Sequence, residues 1–335
     1  MYGTIKVTEV CGKTMMPSNK VIEKLKQNLH GGIEYATEAS ECIGFDQDEA
    51  GHDEGPLPYL IHYITPAIHV EARTALNETE ENRTRGLEEM RRLIKNDEKL
   101  LTPLDDNFLM SFLRSRKFNS KKAFRLLQNY WMFRKEHKSI YDSSNSESVK
   151  KLILKNILGF LHFRDKAGAV VMIIKVGHWE PDKDVYEEMF RAITAILIHS
   201  IQFPASQIAG YRIIMDLRGL SWAQLKMCTP ANILLMIHST QYCFPARYRG
   251  FHILSENKFF NLAWTIAYPL LTSKVKKRIM LHGSDVKPLS EYIHPSILPD
   301  EYGGTAGPFD NSNWVEILDN STDQVLDMLN YGYQD

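Results

Sequence analysis

The sequence has few cysteines and no long apolar run. Its four cysteines form no CxxC pair and show no metal-ligand spacing, so we expect reduced thiols, as in a cytosolic protein. The first residues, MYGTIKVTEV, show no charged-then-apolar signal pattern. No apolar run reaches about eighteen residues, the length that a transmembrane helix needs. The cysteines are Cys11, Cys42, Cys228 and Cys243.

Motifs for catalysis, nucleotide binding and metal binding are also missing. No GxGxxG or Walker string occurs, and no phosphate-cradling helix follows Gly303-Gly304. The string GLSWA at residues 219–223 imitates a nucleophile elbow, but it lacks the final glycine, and Ser221 is more simply a helix N-cap. We therefore expect no enzyme activity, no cofactor and no metal. Four histidines in predicted elements lack metal spacing: His178, His199, His252 and His282.

The chain has no overall excess of positive or negative charge, because 40 Lys and Arg balance 41 Asp and Glu. This near-neutral total argues against nucleic-acid binding. Glu38 to Glu54 carries acids and no Lys or Arg, which predicts a flexible acidic tail over residues 1–65. That tail is either a plain solubilising segment or a mask for a basic cluster. Positive charge is concentrated between Pro245 and Arg278, where Glu256 is the only acid among many Lys and Arg residues.

The stretch after Glu256 is apolar at nearly every position. From Lys258 to Tyr268 only Asn261 and Thr265 are polar, and such a helix is buried or faces an apolar partner that is not always present. At roughly 18 Å it is too short to cross a bilayer. We interpret it as a movable lid over a lipid cavity, or as a core helix followed by a solvated charge run. The residues expected to close the lid and insert into membrane are Phe259, Phe260, Trp264 and Ile266.

Periodicity divides the rest of the chain. Residues 66–148 have the rhythm of amphipathic helices, and residues 149–308 alternate strands with helices, which predicts an α/β fold with a mostly parallel sheet. Residues 309–335 form a C-terminal tail. The predicted strands are Ala169 to Val176, Tyr211 to Leu217, Gly250 to Leu254 and Arg278 to His282, and the two long helices are Asp184 to Gln202 and Thr229 to Gln241.

Several strings, in this order, resemble the CRAL-TRIO lipid-binding family. The resemblance spans roughly Leu87 to Trp314, and the similar branch holds the tocopherol transfer protein, the cellular retinaldehyde-binding protein and the clavesins. It implies an N-terminal helical module followed by a CRAL-TRIO domain, whose sheet floors a lipid pocket closed by a mobile lid helix. The strings are FLMSFLRSRKF (108–118), GHW (177–179), CFPAR (243–247), RGFH (249–252), LTSKVKKRIMLHG (271–283) and ILPDEYGG (297–304).

The resemblance also implies two sets of site residues. Five cations fall where the tocopherol transfer protein contacts a phosphoinositide headgroup: Arg116, Arg247, Arg249, Lys274 and Arg278. Four residues are expected to line the ligand pocket: Phe190, Ile193, Leu197 and Leu234. The tocopherol transfer protein has hydroxyl residues where this chain has Ile193 and Leu197, which weakens tocopherol as the ligand, although Thr194 offers a hydroxyl nearby.

We expect a soluble carrier of a hydrophobic lipid that docks on membranes containing phosphatidylinositol bisphosphate to take up and release its ligand. The alternative is a trafficking or adaptor module that reads phosphoinositides, without net lipid transfer, for a protein partner. Both interpretations imply a cytoplasmic protein, peripheral on endosomal or plasma membrane. A carrier moves lipid between vesicles, whereas a module binds membrane without moving it.

Overall fold

The computed structural model describes residues 56–142, 147–181, 185–255, 258–320 and 328–334. The acidic stretch Glu38 to Glu54, and most of the tail expected over residues 1–65, lie outside these ranges. The described residues form a mixed α/β fold with a helical N-terminal region and a central, mostly parallel sheet. The predicted fold class is confirmed.

Helices dominate the first part of the described chain. Each of the four long ones begins at a residue whose side chain accepts a backbone N–H, which satisfies donors that a helix start leaves free: Thr65, Thr79, Asp105 and Asn119. The helices are α1 Pro66–Leu76, α2 Glu80–Lys95, α3 Asp106–Ser115, α4 Ser120–Glu136, α5 Lys138–Asp142 and α6 Glu147–Leu154. The short strand β1, Leu100–Leu101, lies between α2 and α3.

Five strands form the central sheet in the order β2-β3-β4-β5-β6. β2 pairs antiparallel with β3, and the other pairs are parallel. Periodicity predicted four of these strands, but not β2, which is only three residues long. The strands are β2 Leu158–Phe160, β3 Val170–Lys175, β4 Tyr211–Asp216, β5 Tyr248–Leu254 and β6 Ile279–Gly283, and β7 Gly332–Tyr333 pairs with β1 outside this sheet.

The sheet is covered on both faces. Met172 and Ile174 of β3 belong to the core on one face, and Val171 and Ile173 to the core on the other, because side chains alternate along a strand. No described helix is long and apolar enough to cross a membrane. The helices are α7 Val185–Ser200, α8 Pro204–Ala209, α9 Trp222–Met227, α10 Pro230–His238, α11 Lys258–Leu270, α12 Ser273–Lys276, α13 Leu289–Tyr292 and α14 Trp314–Asn320, with a π-helical turn, Ser239–Cys243, after α10.

The helical module and the sheet share one hydrophobic core. Tyr130 of α4 lies 6.5 Å, between ring centroids, from Phe244, just after the π-helical turn. Beside this core the guanidinium of Arg114 donates to both carboxylate oxygens of Glu78, at 2.6 and 2.9 Å, and to Gln207 of α8 at 2.6 Å. Arg114 is therefore a buried structural residue that joins α3 to α8.

The C-terminal residues also pack on the body. Trp314 is fully buried, and its ring contacts that of Phe160 of β2 in an edge-to-face arrangement at 5.3 Å. Farther along, β7 pairs with β1 of the helical module. The described part of the predicted tail 309–335 thus contributes to the fold at two places.

Two neighbouring strands carry a buried histidine pair on the sheet face away from the lid helix α11. Arg212 Nη1 donates to His252 Nε2 at 3.0 Å, so that His252 Nδ1–H is left to donate to His282 Nε2 at 2.9 Å. Burial, the charge of Arg212 and the proximity of His282 lower the pKa of His252 to about 2. The fold therefore holds His252 neutral.

This neutral histidine makes stability depend on pH. The pKa of a histidine in the unfolded chain is about 6.5. Below that pH the unfolded state binds a proton at this side chain, whereas the folded state does not. We expect the free energy of unfolding to fall by up to about 1.4 kcal/mol per pH unit below this point. Urea denaturation at pH 7.5 and 5.0 measures the effect. His252→Gln should reduce the loss, whereas His69→Gln, at an exposed histidine on α1, should not; equal losses in all three proteins would contradict the assignment.

Candidate functional site

An apolar cavity of about 270 Å³ lies between the sheet, α7, α10 and α11. Its floor is formed by alternate residues of the strands, among them Met172, Ile174 and Ile213, because these side chains share one face of the sheet. Phe190, Ile193 and Leu197 line it from α7, where a helical spacing of three and four residues places them on one side. Three of the four pocket residues expected from the sequence therefore lie at the cavity.

Leu234, the fourth expected pocket residue, does not line the cavity. Its side chain is 51% exposed, and α10 contributes Ile233, Met236 and Ile237 to the cavity wall instead. These three residues have the spacing of one helix face, which turns Leu234 to the opposite side. The expectation was wrong because α10 is apolar at most positions. Its sequence pattern therefore does not show which of its side chains face the cavity.

The helix α11 closes the cavity with one face, and on its other side it exposes Leu262 and Leu270 beside the polar Asn261. Phe260, Ala263, Trp264 and Ala267 line the cavity, and the rings of Phe260 and Trp264 stack with centroids 5.6 Å apart. The outward residues follow a spacing of three and four, with Leu262 and Leu270 more than a third exposed and the others half-buried. They are Phe259, Leu262, Ile266 and Leu270. The four residues expected for the lid thus divide between the two faces.

Few polar groups of the cavity wall are free for a ligand. The hydroxyls of Ser239 and Thr240 donate to the carbonyl of Met236, and Gln241 Oε1 accepts the backbone N–H of Thr272. Two buried donors in the wall have no hydrogen-bond partner, Trp179 Nε1 and Gln241 Nε2. An occupant of this cavity is therefore mainly apolar, and a hydrogen-bond acceptor on it would be favoured at these two donors.

A second feature, the cationic cluster, is defined by Arg116, Lys117, Arg247, Arg249, Lys274 and Arg278. β5 and β6 are parallel neighbours, so the residues at their N-terminal ends meet at one edge of the sheet. Arg247 and Arg249 lie at the start of β5, and Arg278 directly precedes β6. Lys274 lies on α12, and Arg116 follows α3.

The charges in this cluster act on one another. Burial lowers the pKa of Lys274, and the positive charges of Arg278, Arg116, Lys117 and Arg247 lower it further. The pKa of Arg278 is lowered by burial and by Arg249. The structure therefore brings together all five cations expected from the sequence and adds Lys117, which sequence reasoning omitted. Because these cations repel one another, binding of an anion at the cluster is favourable.

One carboxylate enters the cationic cluster. Glu71 of α1 pairs with Arg247 through Oε1, at 3.2 Å from Nη1, and with Arg249 through Oε2. Burial lowers the pKa of Arg247 to about 10, while Glu71 acts in the opposite direction. Sequence analysis did not find Glu71, because it lies far from both arginines along the chain.

The groups that imitated catalytic or metal sites have structural roles. Ser221 Oγ accepts the N–H of Ala223 at 3.2 Å, and Gln224 Oε1 accepts the N–H of Ser221 at 2.9 Å, which together form a capping box at the start of α9. Ser221 is therefore the N-cap that its sequence context indicated. Among the residues that the structure describes, no group of three or more His, Cys, Asp or Glu could hold a metal ion.

Comparison with known proteins decides the family. Residues 154–304 match the CRAL/TRIO domain. Clavesin-1 of Rattus norvegicus is 31% identical over 271 residues, which cover 79% of this chain and 77% of that protein. Clavesin-2 of Homo sapiens is 30% identical over 265 residues, covering 78% of this chain and 81% of that protein. The chain belongs to the CRAL-TRIO family.

CRAL-TRIO proteins are lipid-binding and lipid-transfer proteins, so the apolar cavity is the expected feature of a member. The crystal structure of Sfh5 shares the fold with a TM-score of 0.51 at 13% identity, covering 74% of this chain and 99% of that one. The resemblance stated from the sequence motifs is confirmed. The roles of individual residues, and the division into domains at residues 148 and 308, stay predictions.

The edge that carries the cationic cluster depends on Gly210. Its φ is +78°, and a Cβ there would lie 2.4 Å from the carbonyl oxygen of Arg247, which accepts the N–H of Tyr211 at 2.8 Å. Only glycine permits both the backbone conformation and this close approach. This close contact therefore fixes the backbone of Arg247, the residue of the cationic cluster that directly precedes β5, against the start of β4.

We expect Gly210→Ala to destabilise the protein by roughly 2–4 kcal/mol, from the backbone strain and the displaced Arg247 carbonyl. Gly307→Ala is the matched control, because φ there is +82° but nothing lies within 4 Å of the added Cβ. Comparing the free energies of unfolding of the two variants, measured with denaturant, separates the cost of backbone strain from the cost of the close contact with Arg247. Equal losses of stability would mean that the close approach to Arg247 contributes nothing.

Proposed function

We propose that this protein is a carrier of a hydrophobic lipid that docks on phosphoinositide-containing membranes to exchange its ligand. The observation that carries the proposal is the two-faced helix α11. One face covers an apolar cavity with Phe260 and Trp264, and the other presents Leu262 and Leu270 outward. A helix of this kind suits a lid that is stable both closed in water and open at a membrane.

The cavity supports lipid carriage on energetic grounds. Transfer of a lipid chain out of water contributes roughly 0.8 kcal/mol per buried CH₂, provided that water is excluded. Opening the lid in water would expose Phe260 and Trp264, at a cost of roughly 1.5–3 kcal/mol for each large apolar side chain. Contact with the apolar interior of a membrane would offset this cost. We therefore infer that exchange takes place at a membrane surface.

The cationic cluster supports docking on anionic headgroups. Arginines bind phosphate oxygens as a fork, and lysines act as point charges. Lys274 lies on α12, which begins three residues after the end of α11. A headgroup that binds Lys274 would therefore lie near the C-terminal end of the lid. The membrane component that we propose is phosphatidylinositol bisphosphate, and the proposed site of action is peripheral, on the cytoplasmic side of endosomal or plasma membrane.

The proposed role needs no catalytic step. The ligand is held by apolar contacts, and Ser221, the one residue in a nucleophile-like string, is occupied as a helix cap. The alternative, an adaptor whose lipid occupancy and membrane docking are read by a trafficking protein, shares the cationic cluster and the cavity but gives no net lipid transfer. Lipid transfer between vesicles therefore separates the two functions.

Membrane docking is tested by cosedimentation with neutral liposomes, with and without a few per cent phosphatidylinositol bisphosphate. Arg247→Ala/Arg249→Ala/Lys274→Ala should lower pelleting with the bisphosphate vesicles about tenfold or more, because each charge-assisted contact contributes roughly 1.5–3 kcal/mol. Arg83→Ala/Arg85→Ala/Lys95→Ala removes the same charge from α2 and should pellet like the wild type. Lys274→Ala alone avoids leaving Glu71 without its two arginines. Equal pelleting of the wild type with both kinds of liposome would contradict the proposal that the cationic cluster binds the headgroup.

Lipid carriage is tested by extracting the purified protein and identifying bound lipid by mass spectrometry. Ile193→Asn places a polar group in the cavity wall and should lower lipid occupancy severalfold, since an unpaired buried amide costs roughly 1–3 kcal/mol. Leu234→Asn makes the same change on the exposed side of α10 and should retain the lipid. Equal occupancy in both variants would contradict the cavity as the binding site. Transfer of that lipid from donor to acceptor vesicles then separates a carrier from an adaptor.

A further inference from the structure

Glu71 holds two arginines of the cationic cluster from outside the domain that carries them. Its Oε1 lies 3.2 Å from Arg247 Nη1, and its Oε2 pairs with Arg249 Nη2. Arg249 also donates from Nε to the carbonyl of Ala209 at 2.7 Å. The two guanidinium groups are thus fixed, and each gives one N–H to the same carboxylate.

The position of Glu71 is set by the packing of α1. Ile68, Ala72 and Leu76 bury one face of this helix in a core shared with α8, and Thr65 caps its start. The side chain of Glu71 is 17% exposed, and those of the two arginines are 20% exposed. Such a pair is screened less than a surface ion pair, so its loss or exchange has a measurable consequence.

A phosphate that uses Arg247 and Arg249 must therefore compete with a carboxylate already in place. The exchange replaces two carboxylate contacts by phosphate contacts, and it leaves Glu71 close to a second anion. On the other side of the cluster, Lys274 and Arg278 face no acid in the ion pairs of the described residues, and they repel the remaining cations. A second phosphate group would relieve this repulsion.

We propose that Glu71 sets the affinity threshold of the cationic cluster, so that a singly phosphorylated headgroup does not gain enough contacts to displace it. It acts as an internal counter-ion for Arg247 and Arg249, which a headgroup displaces only when a further phosphate gains contacts with Lys274 and Arg278. This proposal rests on the proposed membrane docking and adds the residue that sets its charge threshold. The ligand selected is an inositol headgroup with at least two phosphates.

The test compares the wild type with Glu71→Gln, which keeps the shape of the side chain and removes its charge. Vesicles contain either a phosphatidylinositol monophosphate or the bisphosphate. We expect Glu71→Gln to bind both kinds of vesicle about tenfold more tightly, because neither headgroup then has to displace a carboxylate from Arg247 and Arg249, so that monophosphate vesicles bind measurably where the wild type does not bind them. Glu88→Gln, at an exposed acid on α2, makes the same charge change away from the cluster and should bind like the wild type.

Two further arms keep the result decisive. Glu71→Asp retains the charge on a shorter side chain that cannot reach both arginines, and its affinity for the monophosphate vesicles should be intermediate. Soluble inositol trisphosphate should raise the Tm of Glu71→Gln more than that of the wild type, since the variant has two unpaired arginines to satisfy. A rise with inorganic phosphate that matches the rise with the inositol phosphate would mean a general anion site and would overturn the headgroup assignment.

The outcomes separate this inference from the proposed function. If the wild type binds bisphosphate vesicles and Glu71→Gln binds monophosphate vesicles no more tightly than the wild type does, the inference is wrong and the docking function stands. If Glu71→Gln folds with an unchanged Tm but binds more weakly, Glu71 positions the arginines, and the proposed competition is wrong. A wild type that binds neither vesicle overturns the docking function itself.

Discussion

The constraint on which the rest of the structure depends is that an apolar cavity is closed by a helix, α11, that also carries apolar residues on its outer side. Residues of α11 at a spacing of three and four divide into an inner set around Phe260 and Trp264 and an outer set around Leu262 and Leu270. An ordinary amphipathic helix would close the cavity equally well, but it would offer a membrane only polar groups. The apolar outer face therefore favours a function at a membrane over a permanent core.

The fold links this lid to the cationic cluster by short chain connections. The lid α11 leads through Thr272 into α12 with Lys274, and then into β6, whose start lies beside that of β5. Gln241 of the cavity wall accepts the N–H of Thr272 at that junction. The segment Pro245 to Gly283 thus carries α11 and four of the six residues of the cationic cluster, while α1 adds Glu71 from elsewhere in the chain.

Sequence reasoning succeeded where a local pattern decides the structure and failed where orientation or a distant contact does. The β-branched runs gave the parallel strands, but the three residues of β2 are too short to show a period. Leu234 was misplaced because the phase of α10 is set by what packs against it. The buried pairing of Arg114 with Glu78 was not found from the sequence, because the two residues are remote along the chain.

The sequence by itself determined the fold class, the family and the five cations, because alternating periods and ordered motifs are written along the chain. It also determined that α11 is apolar at nearly every position. Only the tertiary structure decided which side of that helix covers the cavity, and only it brought Glu71 to Arg247 and Arg249. The physical reason is that long-range contacts are chosen by packing of α1 on α8 and by the parallel pairing of β5 and β6, neither of which leaves a periodic signal in the residues themselves.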